Sequence, residues 1–105
     1  MTFDELREKA HSLPMAPGVY LMQDRTGKVI YVGKAKALRN RVSQYFQRSR
    51  KDTKTDRMVN SVDDFEYIVC STEIEALSLE NTLTGFPSQL RQFHKILSLY
   101  KGHQG

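Results

Sequence analysis

Glu80, two tyrosines on neighbouring strand-like segments and a run of basic residues are the side chains of this sequence best suited to chemistry. Glu80 lies beside the helical stripe Ala76, Leu79 and Leu83, and a carboxylate bordering apolar surface is costly without a partner. It reads either as a surface glutamate reaching past its neighbours to water or as a ligand for a divalent cation. Mg²⁺ commonly takes only one or two carboxylates and completes its shell with water and phosphate oxygens. The basic residues Lys34, Lys36, Arg39 and Arg41 follow directly after Gly33. Glycine allows close approach of a backbone or phosphate, and the cations can neutralise phosphates. The same run also fits a solvated helix face. Tyr20 and Tyr31 read as sheet aromatics or as reactive phenols. A free phenol titrates near pH ~10, and nearby Lys34, Arg41 and a metal would each favour the phenolate.

The elements that must position these groups can be read along the chain. Residues 2–12 fit a short helix with acidic Asp4 and Glu5 in its first turn and Leu6 and Ala10 on one face. Pro14 and Pro17 then favour extended backbone. Segments 18–23 and 28–32 read as strands joined by the turn residues 24–27, an Asp-Arg-Thr-Gly sequence. If those four residues form the whole loop, Gln23 faces Lys28 and Tyr20 falls directly opposite Tyr31. The two phenols would then share a face, whereas a slip of one residue would separate them.

Beyond Gly33, Leu38, Val42, Tyr45 and Phe46 repeat at helical spacing within 34–46. Arg41 and Tyr45 line one flank of that stripe. A polar, basic loop over 47–54, a helix over 56–62 with Met58, Val59 and Val62 inward, and a strand over 65–70 follow. Thr72 and Glu75 have capping-box spacing and open a helix that Gly85 and Pro87 stop. Leu90, Phe93, Leu97 and Tyr100 mark a last amphipathic helix. The expected class is α+β: a small three-stranded antiparallel sheet flanked by helices.

Composition narrows the function classes. The chain has 105 residues, 39% of them hydrophobic, which suits one domain with one core. The formal net charge of +4 favours a polyanionic partner. The single cysteine, Cys70, has no internal disulfide partner and reads as a small buried hydrophobe. His11, His94 and His103 show no ligand spacing, so zinc is not expected. No apolar run reaches membrane-spanning length and the N-terminus lacks a signal-peptide pattern, which leads us to expect a cytoplasmic protein.

Several of these segments together resemble the GIY-YIG nuclease superfamily, most closely its excision-repair branch. The two signature halves are Gly18-Val-Tyr20 and Tyr31-Val-Gly33, and Arg41-Val-Ser-Gln-Tyr-Phe46, Lys54-Thr55, Glu66-Tyr-Ile-Val69 and Thr72 through Asn81 continue the match in order. The likeness covers about residues 12–83 of a single domain spanning 1–105, with a divergent segment at 84–105. The resemblance implies metal-dependent hydrolysis of a DNA phosphodiester. Tyr31 is then similar to the proposed general base, with Tyr20 and Lys34 positioning and polarising it. Arg41 would stabilise charge on the phosphate, Tyr45 would support it, and Glu80 would hold Mg²⁺ or Mn²⁺. Gly33, Lys36 and Arg39 would contact DNA. An excision-repair loading protein is a further implied partner. The family's late asparagine has no counterpart after Asn81. Two other functions fit the residues: a DNA-binding remnant that keeps the basic face, and an interaction module using the Leu90/Phe93/Leu97/Tyr100 stripe.

Overall fold

The computed structural model describes residues 1–47 and 53–85. In chain order these form α1 (Phe3–His11), β1 (Gly18–Gln23), β2 (Val29–Ala35), α2 (Leu38–Tyr45), α3 (Thr53–Ser61), β3 (Asp64–Val69) and α4 (Glu73–Gly85). The expected three-stranded antiparallel sheet is present, in the order β2-β1-β3. The helix anticipated around Leu90, Phe93, Leu97 and Tyr100 lies outside the described residues.

The central strand β1 is buried along its whole length because both of its faces are covered. Alternate residues serve alternate layers, as the period of a strand requires. Tyr20 and Met22 face one layer, which contains Leu6, Ala10 and Leu13 together with Leu38, Val42, Phe46 and Phe65. Val19 and Leu21 face the opposite way, against Ile68, Cys70 and the Ala76, Leu79 and Leu83 stripe of α4. The sheet thus separates α1 and α2 from α4.

Local chemistry fixes the helix starts. The Thr2 hydroxyl accepts from the Glu5 N–H at 3.2 Å and the Glu5 carboxylate accepts from the Thr2 N–H at 3.0 Å, a complete capping box. At α4 the Thr72 hydroxyl accepts from the Glu75 N–H at 3.1 Å, as the spacing predicts, while the Glu75 carboxylate accepts instead from the Ser71 N–H at 3.0 Å. Lys9 ties α1 to β3: its ammonium donates at 2.7 Å to both the Asp64 carboxylate and the Phe65 carbonyl and lies 4.7 Å from the Phe65 ring centroid.

Two boundaries differ from the sequence reading by more than one residue. The helix expected within 34–46 begins only at Leu38, because Lys34 and Ala35 pair with Val19 and Gly18 and extend β2. The helix expected from Asp56 begins at Thr53.

Hairpin register also differs, with a consequence for the site. The Asp24 N–H donates to the Lys28 carbonyl at 2.9 Å and the Gly27 N–H to the Asp24 carbonyl at 3.0 Å. The loop therefore holds three residues, with Gly27 at φ 86° in the left-handed region that glycine tolerates. Between the Met22–Tyr31 and Gln23–Val29 pairs the register shifts, leaving Ile30 as the extra residue of a bulge. Tyr20 consequently faces Gly33 rather than Tyr31, and Tyr31 faces Met22. The tighter loop and the bulge each displace the register by one. Two single displacements restore the parity, so Tyr20 and Tyr31 still share a face.

Candidate active site

Three phenols meet on the α2 face of the hairpin. The Tyr20 and Tyr31 rings stack with centroids 6.0 Å apart, and Tyr45 lies 5.7 Å from Tyr20 and 6.2 Å from Tyr31. The Tyr20 and Tyr45 hydroxyls share a hydrogen bond of 2.7 Å. Helical spacing places Arg41 one turn before Tyr45, and its guanidinium lies 5.9 Å from the Tyr45 ring centroid. The neighbouring Tyr20 hydroxyl raises the Arg41 pKa. The four residues Tyr20, Tyr31, Arg41 and Tyr45 are thus brought together as expected.

Gly33 makes this packing possible. A Cβ at that position would run into the ring and hydroxyl of Tyr20, which crosses directly over it. The glycine is therefore needed for an aromatic ring of the protein itself, which the sequence reading assigned to DNA approach.

The phenols differ in access. Tyr20 is 1% exposed, Tyr31 40%, and Tyr45 is half-buried. Tyr31 is therefore the phenol that can meet water or a phosphate. Sequence reasoning expected nearby positive charge to favour the phenolates; Arg41 acts in that direction on both Tyr20 and Tyr31, but burial outweighs it. Burial pushes Tyr20 well above the ordinary phenol value, reinforced by its bond to Tyr45, and Arg41 only partly offsets it. Burial and Tyr45 raise Tyr31 as well, with Tyr20 and Arg41 acting in the opposite direction. Desolvation outweighs one cation because a phenolate loses more hydration than a single partly exposed guanidinium returns.

Lys34 is the second correction. It pairs with Val19, whose side chain belongs to the α4 layer, so Lys34 projects to the face opposite the tyrosines. There it lines a shallow cavity of about 250 Å³ with Lys36, Glu73, Ile74 and Leu77. Lys36 forms a loose ion pair with Glu73 at 3.8 Å, an exposed contact worth little. Arg39 was expected to contact DNA; its Nε donates to the Leu13 carbonyl at 2.7 Å.

Glu80 lies on α4, half-buried next to Ala76 and Leu83 of the sheet-facing stripe. Among the described residues its carboxylate has no hydrogen-bond or ion-pair partner, while its backbone carbonyl accepts from the Thr84 hydroxyl at 2.8 Å. No group of three or more His, Cys, Asp or Glu residues gathers among the described residues. A half-buried, unpaired single carboxylate fits a hard cation that keeps most of its ligands as water and phosphate oxygens. It does not fit zinc, which needs three or four protein donors. The β1–β2 hairpin thus carries Tyr20 and Tyr31 on one face, while the helix bearing Glu80 packs on the other.

Sequence reasoning missed what caps α2. Ala37 at its N-cap offers no side-chain oxygen. The Leu38 N–H donates instead to the Ala16 carbonyl at 2.9 Å and the Arg39 N–H to the Pro14 carbonyl at 3.3 Å. Backbone acceptors leave no mark in residue type; the alanine at the cap was the only available sign.

The similarities to known proteins agree with this geometry. Residues 16–85 match the family model described as the UvrC-like GIY-YIG domain. Over 78 residues the chain is 62% identical to UvrABC system protein C of Caldicellulosiruptor saccharolyticus, covering 74% of this chain and 13% of that protein. With the protein of the same name from Thermoanaerobacter sp. it shares 56% identity over 79 residues, again 74% of this chain and 13% of the relative. The chain thus spans about 13% of the length of the curated relatives it matches. A crystal structure of the GIY-YIG N-terminal endonuclease domain of UvrC from Thermotoga maritima, bound to its catalytic magnesium, superposes with a TM-score of 0.69 at 36% identity. That match covers 82% of this chain and 93% of the solved one. With the signature tyrosines clustered on the matching fold, this chain belongs to the UvrC-like GIY-YIG domain family.

Proposed function

We propose that this domain hydrolyses a DNA phosphodiester bond in the incision step of nucleotide excision repair, with Mg²⁺ or Mn²⁺ held by Glu80. The observation that carries the reading is the cluster of Tyr20, Tyr31, Tyr45 and Arg41 around Gly33, with one phenol open to solvent. A bound divalent cation would supply positive charge to the phosphate and leaving oxygen. Arg41 stabilises negative charge developing on the phosphate, the preorganised electrostatic contribution that usually dominates such reactions. With further positive charge at the site offsetting its desolvation, Tyr31 would first release its own proton to solvent and then, as the phenolate, accept a hydrogen bond from the attacking water and take its proton. Tyr20 is too buried to touch substrate and instead fixes Tyr45 through their shared hydrogen bond. Lys34 and Lys36, projecting beside α4, contribute phosphate attraction around the site. DNA and an excision-repair protein that loads the domain onto it are the proposed partners, in the cytoplasm.

The test is nicking of supercoiled plasmid. Wild-type protein with Mg²⁺ or Mn²⁺ is expected to produce nicked circles that EDTA abolishes, and Glu80→Gln to reduce the rate by at least about a hundredfold, the scale of losing a key electrostatic group. Wild-type and Glu80→Gln proteins of equal activity would overturn the reading. If neither cuts but both bind DNA with steep salt dependence, the DNA-binding remnant is the better description.

A further inference from the structure

Arg39 stands out because its basic character suggested a DNA contact, whereas the structure engages it with the protein's own backbone. Its Nε donates to the Leu13 carbonyl at 2.7 Å, and its N–H to the Pro14 carbonyl at 3.3 Å. Together with the bond from the Leu38 N–H to the Ala16 carbonyl at 2.9 Å, these contacts close the N-terminus of a helix that lacks any side-chain cap. The first N–H groups of a helix have no partners within it, so whatever accepts from them helps set the helix direction. The loop that supplies the acceptors is itself fixed. Leu13 is buried and its N–H bonds the Ala10 carbonyl of α1, while the Pro17 carbonyl accepts from the Cys70 N–H at 2.8 Å. Downstream on the same two turns of α2 stand Arg41 and Tyr45, which meet Tyr20 and Tyr31. Leu13 and Pro14 precede residue 16, where the match to the family model begins.

We infer that Arg39 is a positioning residue: by clamping α2 to the Leu13–Pro17 loop it holds Arg41 and Tyr45 against the tyrosines of the hairpin, and its contribution to turnover comes through that clamp rather than through DNA. This deepens the nuclease reading and rests on it. A small misplacement of reacting groups costs far more in rate than in binding, so the two roles separate experimentally. Lysine keeps the charge at position 39 but lacks the Nε–H at its place in the fork, and glutamine lacks both. A phosphate contact would be kept in large part by lysine, and its loss would reduce the salt dependence of binding by about one counterion.

The experiment compares the wild-type chain with Arg39→Lys and Arg39→Gln, each well below its unfolding midpoint. It measures plasmid nicking at saturating protein, affinity for a short labelled duplex in EDTA against salt, and alkaline titration of the tyrosines by absorbance. Both variants are expected to lose nicking by about ten- to a hundredfold, with duplex affinity within about twofold of wild type and an unchanged salt slope. Both should also bring a buried phenol transition down toward the free-tyrosine value, because a displaced Tyr45 no longer covers Tyr20. A merely stabilising contact would leave the last two readouts and the saturating rate unmoved. Near-wild-type behaviour of Arg39→Lys, with weakened binding and a shallower salt slope in Arg39→Gln, would overturn the clamp in favour of a DNA contact. Wild-type rates and titrations in both variants would overturn it outright. Should the wild-type chain not cut DNA at all, the nuclease reading falls, and the tyrosine titration still decides whether Arg39 positions Tyr45.

Discussion

Replacing Gly33 with alanine tests the packing that assembles the tyrosine cluster. The added Cβ would collide with the ring and hydroxyl of Tyr20, which is 1% exposed and hydrogen-bonded to Tyr45, so neither end of that side chain can readily yield. Forcing one extra carbon into a filled interior typically costs about 1–3 kcal/mol. Gly33 does not have positive φ; among the described residues only Gly27 does. Alanine is therefore compatible with the backbone at position 33, and its lower unfolded-state entropy should return about 0.4–1 kcal/mol. The net expectation is destabilisation by about 1–2 kcal/mol in the wild-type background, the difference of those two effects.

The sign should reverse once the obstructing atoms are gone. In Tyr20→Leu protein the side chain ends short of the colliding ring atoms, and leucine avoids the loss of about 3–5 kcal/mol typical of truncating a core aromatic to alanine. There, Gly33→Ala should be neutral to stabilising by up to about 1 kcal/mol. Urea unfolding of the four proteins, followed by circular dichroism, gives the coupling directly, provided that the dependence on denaturant stays constant. An equal cost of Gly33→Ala in both backgrounds would refute the steric argument, as would no cost in the wild type.

Three more expectations follow from the same structure. Because Tyr20 and Tyr31 have raised folded-state pKa values, the unfolded chain releases protons first above pH ~10. Stability is therefore complete below that pH and declines as pH rises further; a stability profile that stays flat under alkaline conditions while other tyrosines ionise would contradict the burial assigned to them. Lys9→Met should cost about 1–2 kcal/mol, the scale of a partly exposed charged hydrogen bond, by removing the donor to Asp64 and to the Phe65 carbonyl; an unchanged denaturation midpoint would show that α1 is held by apolar packing alone. Cys70, buried with a thiol pushed up by desolvation and by Glu75, should react with thiol reagents only as the protein unfolds, and rapid labelling of the native protein would argue against the α4 layer packing as seen.

What the residues determine unaided is local and periodic. The apolar run within residues 18–23, the Asp-Arg-Thr-Gly turn and the apolar stripe of α4 follow from backbone geometry and from which side chains avoid water, and both are written in consecutive residue types. They suffice for the α+β class and for the hairpin; that Tyr20 and Tyr31 share a face follows from the three-residue loop and the bulge acting together. Tertiary structure decides what depends on exact register or on backbone atoms. The bulge at Ile30 sets Tyr20 over Gly33, and the extension of β2 through Ala35 sends Lys34 to the α4 face. Loop carbonyls, invisible in residue type, take up Arg39 and start α2. The direction of the phenol pKa shifts likewise needed the fold. Proximity of basic residues can be counted along a chain, but desolvation depends on everything packed around the ring, and here it outweighs the charge.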